Sequence, residues 1–426
     1  PIIFLQTLKG KRVTMTSPHS QLLQNLFGFT AFRQGQQEVV EGLLNARSTL
    51  AIFPTGSGKS LCYQYVATQL PHLTLVISPL LALMKDQLSF LHSKGIAAAS
   101  IDSTLTAEQN KQVMNDVRSG RCKILMVSVE RFKNERFRQL IESVQVSMLV
   151  VDEAHCISEW GHNFRPDYLK LPAYQKELNI PLVLLLTATA TQKVKLDMAS
   201  RFNIAHGNII QTGFYRPNLN LNVLPVVDTN KNKVLLEELQ RQQGAGIVYV
   251  TLQNTAQEVA QYLQQNGYAA QAYHAGLHND VRQSIQQDFM ENRLQVVVAT
   301  IAFGMGIDKS NIRQVLHYDL PKSIENYSQE IGRAGRDRNA SDCVLLADLS
   351  GLTVLENFTY GDTPTLGAIK RLLTTINTDT TVNNSGTGRW ETMMQPLSNQ
   401  TDIRPLPLKT LLVHLEMAGR ITPLYS

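Results

Sequence analysis

Short apolar runs, too brief for buried helices, recur along this chain, each followed by a stretch whose apolar residues keep helical spacing. Thr49–Phe53, Leu73–Ser78, Lys123–Ser128, Ser147–Val151 and Leu182–Thr187 have the first character, and Leu80–Lys94 and Ala107–Ser119 the second. A run that is apolar throughout suits a strand buried on both faces, and strands alternating with helices predict a parallel sheet. The pattern then restarts with Gly246–Thr251, Ala269–Tyr273, Val296–Thr300, Gln314–Tyr318 and Asp342–Ala347. The expected fold class is therefore α/β, with two parallel-sheet domains in tandem. Their joint is placed near Thr212–Pro225, where Pro217, Asn218, Asn220 and Asn222 break the periodicity. The expected divisions are an arm over 1–20, a first domain over 21–211, a second over 212–348 and a short, mainly helical segment over 349–426.

In that last segment Thr363-Pro364 is a good helix start. Leu366, Ile369, Leu372, Leu373 and Ile376 follow at helical spacing, and Thr378–Gly388 reads as a loop. Leu408, Leu411, Leu412 and Leu415 mark another amphipathic helix, stopped by Gly419. It is either the recognition helix of a partial winged-helix or helix-turn-helix unit, or a plain bundle helix. The chain ends abruptly after this pattern, as if it continued. The Gln-rich stretch Gln240–Gln265 is interleaved with apolar residues at helical spacing and reads as solvated helix faces.

Composition narrows the class. A chain of 426 residues, 43% hydrophobic and 18% charged, has material for several buried cores and is not of the disordered type. Its longest purely aliphatic run, Leu182–Leu186, is far short of the roughly 20 residues a spanning helix needs. Forty Lys and Arg against 35 Asp and Glu permit nucleic-acid binding without demanding it. Cys62, Cys122, Cys156 and Cys343 are widely separated, which excludes a dense disulfide framework and a four-cysteine zinc module within these residues. Free thiols fit a reducing compartment. Ile2-Ile3-Phe4-Leu5 precedes Lys9, Lys11 and Arg12, the reverse of a secretory signal, and Met15 could be an internal start. The expected location is cytoplasmic (a bacterial nucleoid) or nuclear, with no membrane partner.

The run Thr49–Phe53 leads into Pro54-Thr55-Gly56-Ser57-Gly58-Lys59-Ser60 and then a helical stretch. Glycines let backbone N–H groups wrap a phosphate, and a helix start adds favourable partial charge. Lys59 would reach the β- and γ-phosphates of ATP, and the Ser60 hydroxyl would hold Mg²⁺. The strict pattern has Gly where this chain has Phe53, which leaves a simple Gly-rich turn open. Asp152-Glu153-Ala154-His155 closes a later strand, at the mouth where α/β sheets bind ligands. Asp152 suits Mg²⁺ and Glu153 suits polarising the attacking water. His155 is a polar turn residue or a link from ATP to the rest of the machine. Thr187-Ala188-Thr189-Ala190 is a relay towards the second domain or a plain strand-end turn. That domain has no P-loop but carries Gln329-Glu330-Ile331-Gly332-Arg333-Ala334-Gly335-Arg336. Arg333 and Arg336, three apart on an expected helix, would share a face and suit a phosphate gaining charge in a transition state. Gly332 and Gly335 each weaken a helix by about 1 kcal/mol and so point to close approach rather than a solvated helix end.

These residues, in this order, resemble superfamily 2 helicases and specifically the RecQ family, from roughly Leu22 to Asp348. The resemblance implies two RecA-like domains. Phe27-Gly28-Phe29 with Phe32-Arg33-Gln34-Gly35-Gln36 is similar to the family's adenine-reading motif, so Phe29, Arg33 and Gln36 would contact the base; Gln34 replaces the usual Pro, and Phe29 the usual Tyr. Ser78–Gln87 is similar to motif Ia. Cys156–Tyr168, with Trp160, Phe164 and Arg165, resembles the aromatic-rich loop that couples single-strand binding to hydrolysis. Base stacking contributes about 1–3 kcal/mol per base whatever the sequence, although the residues alone also allow an aromatic core patch. Tyr273–Leu277 resembles motif IV. Ala299–Lys309 resembles motif V, which would place Gly306 and Asp308 at the nucleotide and the nucleic-acid backbone. Phe214 and Arg216-Pro217-Asn218 match the interdomain linker, and His317, Asp319, Pro321 and Gln329 also fit.

The implied activity is a DNA-stimulated ATPase that moves 3′→5′ on single-stranded DNA and unwinds duplex in repair or recombination, with ATP and Mg²⁺ and without zinc. Fuel is needed, because some 20 base-pair steps at ~1.4 kcal/mol approach ~28 kcal/mol, above the roughly 18–21 kcal/mol at which single binding events saturate. The departure follows Asp348: the family usually carries a four-cysteine zinc subdomain and then a winged helix, whereas no cysteine follows Cys343 here and a β-hairpin wing is not expected. The alternatives are an RNA helicase and a non-catalytic ATP-switched clamp.

Overall fold

The computed structural model describes residues 18–79, 81–102, 105–159, 164–213, 215–300, 303, 309–360, 363–382 and 388–424. Most of the expected arm lies outside these residues, as do Leu80, Trp160, Gly161, His162, Asn163, Phe214, Gly306 and Asp308. Strands β1 (Thr49–Ile52), β2 (Leu73–Ile77), β3 (Ala98–Ile101), β4 (Ile124–Val127), β5 (Val146–Val151), β6 (Leu182–Thr187) and β7 (Ile209–Gln211) form one sheet in the order β3-β4-β2-β5-β6-β1-β7. Strands β8 (Leu219–Pro225), β9 (Ala245–Tyr249), β10 (Ala270–Tyr273), β11 (Val296–Ala299), β12 (Ile312–His317) and β13 (Ser341–Ala347) form a second, in the order β10-β11-β9-β12-β13-β8. Every pairing in both is parallel.

Apolar runs make these strands because successive side chains feed opposite faces. In the first sheet Leu50, Ile52, Leu149, Val151, Val183 and Leu185 enter one core, while Ala51, Met148, Val150, Leu184 and Leu186 enter the other. The second sheet divides the same way, with Val248 and Val298 on one side and Ile247, Val297 and Val315 on the other. No helix among the described residues is long and apolar enough to cross a membrane.

Three strands go beyond the sequence expectation. β3 is Ala-Ala-Ser-Ile and β7 only three residues, so neither carries a strong apolar signal. β8 occupies the second half of the expected joint and pairs along its whole length with β13. It alternates Leu and Val with Asn, and as an edge strand it leaves Leu221 56% and Val223 61% exposed.

Beyond β13 the segment is mainly helical, with helices Leu352–Tyr360, Leu366–Asp379, Met394–Thr401 and Pro405–Met417. Thr365, rather than Thr363, caps the second of these, its hydroxyl accepting from the Ala368 N–H at 3.2 Å. The expected loop also holds a short antiparallel pair, β14 (Thr381–Val382) with β15 (Gly388–Arg389). This pair precedes the last two helices, whereas a wing would follow the recognition helix. Ala368, Leu372, Leu397, Ile403 and Leu408 form a small separate core. The last two helices are joined by a tight turn at Asp402, whose φ of 57° is left-handed, giving a helix-turn-helix outline.

Candidate nucleotide site between the two sheets

β1 delivers the chain to the glycine turn, the candidate phosphate loop. Gly56 and Gly58 both have φ near +80°, a conformation that costs side-chain-bearing residues energy, and Gly58 caps the helix Lys59–Gln69. A Cβ on Gly58 would lie 2.9 Å from the Gln36 side-chain nitrogen, so the turn is tightly enclosed. The departure at Phe53 has a local accommodation: a Cβ on Gly35 would meet the Phe53 ring at 2.8 Å, so a glycine there makes room for the ring.

Arg33 and Gln36 bind this turn directly. The Arg33 guanidinium donates to the Gly56 carbonyl at 2.9 Å, and the buried Gln36 amide donates to the Ser57 and Gly58 carbonyls at 3.2 and 2.9 Å. The Gln36 side-chain oxygen accepts from the Arg33 N–H at 2.8 Å. Phe29 is exposed nearby in sequence. The Ser57 hydroxyl is buried with no hydrogen-bond partner among the described residues. An enclosed glycine turn at a helix start, with an unsatisfied hydroxyl, fits a phosphate group.

At the end of β5, Asp152 and Glu153 stand side by side. Burial first, and the neighbouring Glu153 charge second, hold the Asp152 carboxyl above the usual range, opposed by Lys59. Two adjacent carboxylates short of positive charge are a donor set that a divalent cation satisfies. Burial, and then the Asp152 charge, raise the Tyr63 phenol, while a hydrogen bond with the Ser60 side chain opposes the rise. Glu153 has φ of 49°, a left-handed conformation rare for a residue with a side chain.

His155 is buried, and burial, with the Lys59 and Arg165 charges, pushes its pKa down to about 3. It is therefore neutral. Its Nδ1 lies 2.9 Å from the Thr187 hydroxyl, which itself donates to the Thr189 carbonyl at 3.0 Å. Thr187 must then accept, which puts the imidazole proton on Nδ1. The same Nδ1 is 3.4 Å from Glu153 Oε2, an oxygen with no well-formed hydrogen bond among the described residues. The Arg165 N–H donates to the Cys156 carbonyl at 3.0 Å, closing the base of the segment that follows. Phe164 is half-buried beside it.

The second domain meets this site across a cleft lined by Pro54, Thr55 and Thr189 on one side and Ser328, Ile331 and Gly332 on the other. A Cβ on Gly332 would be 3.1 Å from the Ser328 carbonyl oxygen and 3.4 Å from the Thr55 Cβ across the cleft. Arg333 and Arg336 are not on a shared helical face. The helix ends at Ile331, a tight turn follows, and Gly335 has φ of 52°. Arg333, 5% exposed, turns inward, where its charge opposes the rise that burial imposes on the Tyr249 phenol. The Arg336 side chain instead crosses to the first domain, its Cγ 3.6 Å from where a Gly56 Cβ would be. Gln329 is buried in the helix Ile324–Ile331.

Arg216 and Asn218, expected only as linker residues, hold the arginine turn. Arg216 donates to the carbonyls of Gly332 at 3.1 Å, Ala334 at 2.9 Å and Gly335. Asn218 donates to Gly335 and Asn339, each at 2.9 Å. Nothing in their spacing announces this, because the partners are carbonyls more than a hundred residues away.

Two family models match the chain: DEAD/DEAH box helicase over residues 33–196 and Helicase conserved C-terminal domain over 230–338. The chain is 44% identical to the ATP-dependent DNA helicase RecQ of Haemophilus influenzae over 329 residues, 76% of this chain and 52% of that protein. It is 44% identical to RecQ of Bacillus subtilis over 328 residues, 76% and 55% of the two chains. It thus spans about half the length of these relatives. Among solved structures, a Mycobacterium smegmatis helicase Lhr bound to ssDNA and AMP-PNP superposes with a TM-score of 0.61 at 19% identity, covering 92% of this chain and 56% of that one. The DUF1998 helicase MrfA bound to DNA gives 0.63 at 16% identity over 90% of this chain and 64% of that one, which supports the tandem RecA-like fold. Matched by both helicase domain models, and sharing more than two-fifths of its residues with RecQ proteins over three-quarters of its length, this chain belongs to the RecQ family of superfamily 2 helicases.

Proposed function

We propose that this chain is the motor of an ATP-dependent DNA helicase, hydrolysing ATP in response to DNA, moving 3′→5′ on a single strand and separating duplex during repair or recombination. The observation that carries the reading is Arg336 of the second domain lying over Gly56 in the phosphate loop of the first. A site divided in this way can convert the state of the nucleotide into relative movement of two domains.

Thr55, Gly56, Ser57, Gly58 and Lys59 would cradle the phosphates, with Phe29 stacking on the base and Arg33 and Gln36 conveying its presence through their hold on the loop. Asp152 and Ser60 would hold Mg²⁺, which when bound neutralises phosphate charge. Glu153 would orient and deprotonate the attacking water through its unsatisfied Oε2. Neutral His155 would steady that carboxylate and pass its position through Thr187 to the cleft. Arg336 would stabilise charge developing on the transferred phosphate, and Arg333 and Gln329 would support it from the second domain. Gly306 and Asp308 would complete the nucleotide contacts. Trp160, Phe164 and Arg165 would stack on and steady single-stranded DNA, coupling it to hydrolysis.

Phosphate release measured with matched single-stranded DNA and RNA oligomers at one ionic strength tests this reading. Strong stimulation by DNA and weak stimulation by RNA is expected. Equal or greater stimulation by RNA overturns the substrate assignment, and no turnover under any condition overturns the enzyme.

A further inference from the structure

We propose that the C-terminal helix Pro405–Met417 braces the segment around Trp160–Arg165, with Lys409 and Glu416 as positioning residues that set how strongly DNA stimulates hydrolysis. This rests on the proposed coupling role of that segment.

The helix has two occupied faces. Leu408, Leu411 and Leu412 enter the small C-terminal core. Lys409, Val413 and Glu416 are spaced four and three apart, so they share another face. Val413 is buried, yet it is not part of that core. This second face lies on the first domain. Lys409 Nζ is 2.6 Å from Asp167 Oδ2, and Glu416 pairs with Lys170. The buried partners are those of the first domain, where the Asp167 and Lys170 side chains are 5% and 8% exposed. Lys133 also reaches Asp167, at 3.0 Å. Burial alone would raise the Asp167 carboxyl, yet the two lysines hold it below its usual range. On the other flank His414 Nε2 lies 3.2 Å from Glu159 Oε1.

Glu159 immediately precedes Trp160, and Asp167 and Lys170 follow Arg165 closely in sequence. One helix therefore contacts residues on both sides of that segment, Glu159 before it and Asp167 and Lys170 after it. Its outline is that of a recognition helix, but such helices read bases through their N-terminal side chains. Here the side chains of Pro405, Leu406 and Pro407 carry no hydrogen-bonding group, and Arg404 precedes them at the N-cap. Its charged residues, Lys409 and Glu416, are engaged within the protein. The Lys409–Glu416 face of the helix thus holds the first domain.

The test uses Lys170→Glu, Glu416→Lys and the double charge swap, with ATPase measured against single-strand concentration and a melting curve for each. Each single variant should lose about three- to tenfold in stimulation, the scale of one partly buried ion pair, while basal turnover persists. The double variant should recover stimulation, which a general loss of packing would not allow. Full stimulation in both single variants, or no recovery in the swap, overturns the brace. Trp160→Ala separates this from failure of the underlying reading. If that variant loses stimulation while the charge variants keep it, only the brace is wrong; if it keeps full stimulation, the coupling role and the brace fall together.

Discussion

The two sheets share a parallel architecture and differ in what leaves the ends of their strands. In the first, β1 opens into a glycine turn and a helix start. In the second, β9 runs through Val250-Thr251-Leu252 into the helix Gln253–Gln265 with no glycine at all. The second domain instead presents an arginine turn held by Arg216 and Asn218. The scaffold is indifferent to this division, since either sheet could carry either element. What differs is a few residues of loop, one set proposed to receive a phosphate and the other to approach it.

Breaking the receiving half should have the largest effect. Lys59→Ala is expected to reduce ATP turnover to background while DNA binding without nucleotide persists, as measured by phosphate release and fluorescence anisotropy. Glu153→Gln keeps shape and removes the base, so turnover should fall about 10²–10⁴-fold with ATP still bound. Collapse of ATP affinity with unchanged turnover would assign Glu153 a different role.

The approaching half should be milder and internally divided. Arg336→Ala is expected to cost about a hundredfold or more in turnover with little change in ATP binding or melting temperature. Arg333→Ala removes a buried cation and should also lower the melting temperature, at about 2–4 °C per kcal/mol for a domain of this size. Identical melting curves for the two variants would erase the distinction drawn between the arginines.

The smallest effect concerns pH. His155 has an ordinary pKa of 6.5 in the unfolded chain and about 3 when folded. Folding thus favours the neutral ring, so its contribution is complete above about 6.5 and is lost as pH falls towards 3. Melting temperatures across that window should fall less steeply for His155→Asn than for the parent.

The central strands are legible in the sequence because runs such as Met148-Leu149-Val150 are apolar on both faces, and a doubly covered parallel sheet demands that. β3 and β8 are not, because Ala98 and Asn220 are weak strand formers whose pairing is decided by their neighbours. The phosphate turn and the carboxylate pair are legible as contiguous motifs, each at the end of a strand. Spacing misleads at Arg333 and Arg336, since the helix stops at Ile331 and the turn through Gly332 and Gly335 sends the two side chains in different directions. Arg216 escapes a sequence reading because its partners are backbone carbonyls, which carry no residue identity to read.

The strand next to the phosphate-loop strand, β7, ends at Gln211, and the Thr212 N–H bonds to the Ile52 carbonyl at 3.2 Å. The next fixed point is Arg216, fastened to the arginine turn. The two halves of the site are therefore joined by a leash of about four residue steps, roughly 14 Å when fully extended. Opening beyond that length would have to pull on Ile52, on the strand that carries the phosphate loop, or on the carbonyls that shape the arginine turn. Any separation of the two domains is bounded by the same stretch of chain that connects them.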